Sequence, residues 1–214
     1  MIRKNKYSIV FLGTDGSGKS TMIDSIAPIL ERKYGLHVQY EHLRPNYLPS
    51  LAVALGRRTL EEEIKTQAVE NPHDVKPSGL FGSLLRLAYY LVDYSVGYFL
   101  KISFSKDKIW LFDRYYYDFI VDPKRFRIKL PICILKFCEM FVSKADLIIC
   151  LGASSPDIIY QRKPETSLEE VTRQIEYLRL LVQQKNNAVW IDTGGSIEAS
   201  VDSLLKEIDR LLKR

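Results

Sequence analysis

Apolar positions along this chain form short unbroken runs, and between the runs they recur every three or four residues. Residues 7–12 (YSIVFL) are an apolar, β-branched run closed by Gly13, the pattern of a strand buried on both faces of a parallel sheet. Residues 19–34 carry Met22, Ile23, Ile26, Ile29 and Leu30 on helical spacing, with Pro28 as a local conflict capable of kinking the helix. Gly35 is a helix stop, and residues 36–43 alternate as a second strand. Residues 45–80 are irregular apart from a charged, helix-like run near 59–70. A long apolar helix over 84–104 follows, then a third strand, KIWLF, ending at Asp113. Helices over 130–142 and 168–185 alternate with strands over 146–151 and 188–191. An amphipathic helix carrying Ile197, Val201, Leu204, Leu205, Ile208, Leu211 and Leu212 on one side closes the chain. Strands alternating with helices predict an α/β fold with a parallel five-stranded sheet flanked by helices, built as one domain over 1–214.

The apolar stretch 84–104 raises the question of a membrane span. Arg86, Asp93 and Lys101 interrupt it at intervals of seven and eight, which places the charges near one helical face. Spanning would hold Asp93 near the bilayer centre at a cost of about 3 kcal/mol. A buried helix with a polar edge toward a cleft is the better reading, and no transmembrane segment is expected. The start of the chain runs from basic residues into too short an apolar run for a signal peptide.

Length and composition narrow the class. The 214 residues are 46% hydrophobic and 27% charged, which suits a folded globular chain rather than a disordered one. A net charge of +5 suits an anionic small molecule at least as well as a nucleic acid, and no nucleic-acid partner is expected. Cys133, Cys138 and Cys150 lack zinc spacing and read as thiols in a reducing compartment, so a cytoplasmic location is expected.

Chemistry enters at residues 13–21, GTDGSGKST, which match G-x-x-x-x-G-K-[ST] between a strand and a helix. Glycines at 13, 16 and 18 let the backbone curl so that successive N–H groups, including those of Asp15 and Ser17, face phosphate oxygens. The helix opening at Lys19 directs its positive end to the same place. Lys19 then neutralises the distal phosphates of ATP, and Ser20, followed by Thr21, offers a hydroxyl to Mg²⁺. A guanine-reading N-K-x-D is missing, since Asn5-Lys6 has no Asp two residues on, and motor ATPases and helicases need a longer core. Small kinases remain. Asp113 and Arg114 end the third strand, where open α/β sheets bind ligands. Asp113 can hold a metal-bound water or the acceptor, and Arg114 can present a planar fork to a phosphate.

Taken together, GTDGSGKST, Asp113-Arg114-Tyr115, Arg44-Pro45, residues 145–165 (ADLIICLGASSPDIIYQRKPE) and residues 191–205 resemble the thymidylate kinase family over essentially the whole chain. The resemblance implies a P-loop NTPase three-layer fold with ATP and Mg²⁺ as cofactors and a nucleoside monophosphate such as dTMP as acceptor. It implies that Asp15 approaches the acceptor sugar, that Arg44 and Arg114 bind its phosphate, and that Asp113 lies near the metal. Arg162 and Lys163 match the start of a short lid near 153–167. The loop holds no Arg of its own, so Arg162 first and Lys163 second are candidates for the cation at the transition state.

The chain also departs from that family. After Arg162-Lys163 the lid continues Pro164-Glu165, and the next arginine is Arg173. Gly152 stands where an acid is frequent. The helix before Asp113 offers Asp93 among Tyr89, Tyr90, Tyr94 and Tyr98 in place of a thymine-reading arginine, an acidic and tyrosine-rich wall suited to hydroxyls or another ring. Asp93 and Tyr115 are therefore candidate acceptor contacts. A kinase of the same build for a sugar, nucleoside or lipid-linked headgroup is the alternative, and a non-catalytic nucleotide-binding protein is a third reading. The apolar tyrosine-rich helix can serve a homodimer face. The basic cluster KRFRIK at 124–129 is a solvated surface, an anion-gathering rim of the cleft, or a contact with membrane or partner.

Overall fold

The computed structural model describes residues 6–42, 48–49, 51–54, 56, 59, 79–104 and 106–213. The described residues fall into two compact units, one drawn from 1–43, 102–115 and 144–214, the other from 44–101 and 116–143.

The first unit is built on five parallel strands in the order β2-β3-β1-β4-β5. They are β1 (Lys6–Gly13), β2 (His37–His42), β3 (Lys108–Asp113), β4 (Leu147–Gly152) and β5 (Ala188–Asp192). The inner strands β1, β3 and β4 are buried almost throughout, as their unbroken apolar runs require. Register places His42 opposite Asp113, Asp113 opposite Phe11, Gly13 opposite Leu151 and Gly152 opposite Asp192. The carboxyl ends of all five strands therefore lie along one edge. β4 starts one residue later than its apolar run because Asp146 turns its carboxylate onto the Ser8 amide and hydroxyl, both at 2.8 Å.

Helix α1 (Lys19–Tyr34) covers one face of the sheet together with the last helix, Ile197–Leu212. Ile26 and Leu30 from the former and Leu204 and Ile208 from the latter join Ile9, Phe11, Ile109, Leu111 and Ile149 in one core. Pro28 leaves α1 unbroken because it sits on the exposed face, where the lost N–H bond opens toward water. Gly35 ends α1 in the left-handed conformation at φ 64°, its N–H bonded to the Glu31 carbonyl. The helix Leu168–Gln184 packs on β1 and β4. Its N-cap Ser167 accepts from the Glu170 amide, as Ser196 does from the Ala199 amide at the head of the last helix.

In the second unit, the stretch expected as one apolar helix forms Leu80–Val92, then a wider π-helical turn over Asp93–Gly97, then Tyr98–Ser103. The turn buries Tyr94, which meets Tyr116 and Phe119 edge-on, with ring centroids 6.1 and 5.7 Å apart. The helix expected over 130–142 begins at Ile132, after Pro131, and tightens into a 3₁₀ turn over Glu139–Phe141. Among the described residues, no helix is long and apolar enough to cross a membrane. The helix-like run near 59–70 lies outside the described residues, except for Thr59.

Candidate active site

The turn between β1 and α1 has the shape its glycines allow. Gly16 and Gly18 adopt φ 83° and 85°, left-handed values that cost other residues about 1–2 kcal/mol. A Cβ on Gly13 would stand 2.3 Å from the Ser17 hydroxyl oxygen and 2.8 Å from the Leu151 carbonyl, so only glycine lets the loop close. Gly18 caps α1 without a side-chain bond, and no acid lies in the first turn, so no side chain competes for its amides.

Lys19 is buried and donates to the carbonyls of Gly13 and Thr14 at 2.8 and 2.9 Å. The Ser17 amide closes on the Thr14 carbonyl at 3.2 Å. Among the described residues, the hydroxyls of Thr14 and Ser17 are buried without hydrogen-bond partners, and so is one oxygen of Asp113, Oδ1. Buried polar atoms are rarely left unpaired, and these three, in the loop and at the end of β3, are of the kind a polar ligand can satisfy.

β3 delivers the other half of the site. The Arg114 amide donates to the Phe11 carbonyl at 2.9 Å, and the chain then leaves the strand with Arg114 at φ 80°. That left-handed conformation is uncommon for a residue with a side chain and is the kind of strain that gathers at functional positions. The Arg114 guanidinium reaches back to Asp15 in the loop, Nη2 to Oδ1 at 2.5 Å, with both side chains largely buried. Asp15, Lys19, Asp113 and Arg114 are thus brought together.

Asp113 takes its remaining contacts from β2. Tyr40 donates its hydroxyl to Asp113 Oδ2 at 3.1 Å, and His42 Nδ1 lies 3.1 Å from the same oxygen. Burial pushes the Asp113 carboxyl up, but the His42 hydrogen bond and the charges of Lys19, His42 and Arg114 outweigh it and hold the group below its ordinary range. Burial first, then the Asp113 charge and hydrogen bond, push the Tyr40 phenol well above its ordinary value. Sequence reasoning did not single out Tyr40 or His42. Their signal was period-two spacing at the carboxyl end of a strand, readable only once β2 is known to neighbour β3.

Among the described residues, no cluster of three or more His, Cys, Asp or Glu forms a metal cage. Mg²⁺ bound with a nucleotide needs none, because it keeps several waters and takes one or two protein oxygens. The exposed Ser20 hydroxyl and the unpartnered Asp113 Oδ1 fit that requirement.

The expected lid segment is a short helix, Pro156–Arg162, followed by a turn. Arg162 donates to the Thr193 carbonyl just past β5 at 2.8 Å. Lys163 pairs with Glu165 at 2.8 Å, and its Cβ would be 3.1 Å from a Cβ on Gly16, so its backbone lies directly against the glycine-rich turn. At Gly152 a Cβ would strike the Trp190 indole at 2.4 Å, with the Arg179 guanidinium 4.4 Å from the ring centroid. The indole occupies the space an acidic side chain there would need.

The other candidates stand as follows. Tyr115 is buried, its ring tilted on Phe112 with centroids 6.2 Å apart. In the second unit Asp93 is fully buried and accepts the Leu48 amide at 3.0 Å. Within the basic cluster, Arg125 pairs with Asp122 at 3.2 Å and Ile128 is buried. Arg44 and Pro45 lie outside the described residues.

No family model matches the chain, and no curated protein matches it in sequence. Among solved structures, it is similar to the thymidylate kinase from Ehrlichia chaffeensis at 16% sequence identity, with a TM-score of 0.60. The match covers 97% of this chain and 98% of that one. The chain therefore shares the fold of that protein, an α/β architecture on a five-stranded parallel sheet.

Proposed function

We propose that this chain is an ATP- and Mg²⁺-dependent phosphotransferase acting on a small acceptor, a nucleoside monophosphate such as dTMP. The reading is carried by the convergence on one turn of Lys19, the Arg114–Asp15 pair and three unpartnered buried polar atoms. In-line phosphoryl transfer asks little covalent chemistry of a protein and much positioning and charge.

Lys19 exchanges the Gly13 and Thr14 carbonyls for the distal phosphate oxygens, and the amides of the loop and of the first turn of α1 hold the rest. The chemistry that Mg²⁺ would supply, when bound with the nucleotide, is neutralisation of phosphate charge. Ser20 and Asp113 Oδ1 are the protein oxygens that would hold it. Arg114, positioned by Asp15, binds the acceptor phosphate as a planar fork. Arg44, Asp93 and Tyr115 are assigned to the acceptor by the family resemblance alone. Of the two lid cations, Lys163 has backbone support against Gly16 and Arg162 a fixed carbonyl partner; both are proposed to serve the nucleotide phosphates.

The three free thiols favour a reducing, cytoplasmic setting. Leu84, Leu85, Val92, Val96 and Phe99 are each more than 40% exposed along one helical stretch, and that uncharged stripe supports a homodimer. The test is ADP release from ATP and Mg²⁺ with dTMP, dUMP and simple sugars as acceptors. The reading expects dTMP-dependent release that Lys19→Ala abolishes. Nucleotide binding without turnover of any acceptor would refute it.

A further inference from the structure

The carboxyl end of β2 carries an arrangement that the phosphate loop leaves unexplained. His42 stands in register with Asp113, and Tyr40 lies two residues earlier on the same face. Both side chains aim at one atom: the Tyr40 hydroxyl and His42 Nδ1 each lie 3.1 Å from Asp113 Oδ2. An ionised carboxylate only accepts, so His42 must carry its proton on Nδ1. The Tyr40 and His42 rings are stacked at 24°, with centroids 6.4 Å apart, which fixes the two donors relative to each other. The other oxygen, Oδ1, is buried and has no partner among the described residues, on a residue only 2% exposed.

Two donors on one oxygen prevent rotation about Cβ–Cγ, which would otherwise exchange the two oxygens. We propose that Tyr40 and His42 are positioning residues that lock Asp113 by Oδ2 and thereby keep Oδ1 presented to the divalent cation that accompanies the nucleotide. The inference rests on the metal role proposed for Asp113. Outer partners of this kind orient a ligand without touching the ion, and losing them costs about 10–100-fold in metal affinity or activity.

The experiment uses the full chain with Mn²⁺ as the probe, measuring free Mn²⁺ by electron paramagnetic resonance in the presence of ADP. Tyr40→Phe with His42→Ala is expected to raise the Mn²⁺ dissociation constant about 10–100-fold while metal-free ADP binding moves by less than about threefold. His42→Asn is the discriminating variant. Its amide Nδ2–H takes the place of Nδ1–H, yet it has no basic nitrogen, so it should bind Mn²⁺ within about threefold of wild type. If the double variant fails to fold, Tyr40→Phe alone carries the test, with a rise of about three- to tenfold expected. Wild-type Mn²⁺ affinity in Tyr40→Phe, or His42→Asn as defective as His42→Ala, overturns the proposal. The binding measurement needs no acceptor, so failure of the kinase reading appears separately, as absent turnover.

Discussion

Replacing Lys19 by methionine keeps an unbranched side chain one heavy atom shorter and deletes its charge. In the ligand-free protein this removes two bonds from a charged donor, at 2.8 and 2.9 Å, each worth about 1.5–3 kcal/mol. It also removes the need to bury an ammonium group, a penalty of several kcal/mol. The opposing terms are of similar size, so the melting temperature without ligand should shift by only a few degrees. With nucleotide they no longer balance, because nothing replaces the cation on the phosphates. At a ligand concentration of about 100 times the dissociation constant, binding stabilises wild type by about 2.7 kcal/mol. For a chain of this size that is a rise of roughly 5–10 °C. A hundredfold weaker variant under the same conditions gains only about 0.4 kcal/mol, or roughly 1 °C. Differential scanning fluorimetry with and without Mg²⁺·ATP measures both states, and an ADP-release assay should show turnover reduced at least about 10²–10³-fold. A variant with an intact ligand-induced shift and near-normal turnover would refute the role assigned to Lys19.

Arg114→Ala should raise the Michaelis constant for the acceptor by about tenfold or more, through loss of a charge-assisted fork, while leaving ADP binding by calorimetry nearly unchanged. Gly13→Ala drives a methyl into the Ser17 hydroxyl and the Leu151 carbonyl, so it should destabilise by about 1–3 kcal/mol in urea titrations and weaken nucleotide binding. Tyr40 has a raised pKa, so its share of stability is complete below pH about 10 and is lost as pH climbs past that value. Tyr40→Phe should accordingly lose less stability than wild type between pH about 9 and 11, and parallel curves would contradict the burial and hydrogen bonding assigned to the phenol. Val92→Lys with Phe99→Lys should convert a dimer to a monomer in sedimentation velocity; unchanged sedimentation would remove the stripe as an interface.

The sheet was legible because its inner strands are buried on both faces, and a strand of that kind leaves an unbroken apolar run, as in IVFL and LIICL. The loop was legible because glycine alone fits the close approach at position 13 and adopts the left-handed turns at 16 and 18 without strain. Arg114 was found by its place after a strand, but not its own left-handed backbone, which no local pattern announces. The π-helical turn at Asp93 escaped detection for a related reason. Hydrophobic periodicity reports which faces are apolar, not an extra residue slipped into one turn, and the buried Asp93 reads as a helix-face charge until the Leu48 amide is placed against it. Tyr40 and His42 were hidden because their meaning depends on which strand lies alongside, a fact of long-range pairing.

The shared finish line of the five strands has a further consequence. Below it, the hydrogen-bonded ladder of the inner strands runs through buried, mostly apolar residues; above it, the connecting segments leave the sheet. Grafting a different β2–α or β4–α connection onto this sheet should therefore yield chains that still fold while handling other molecules, which makes this protein a practical chassis for altering what is bound without rebuilding what supports it.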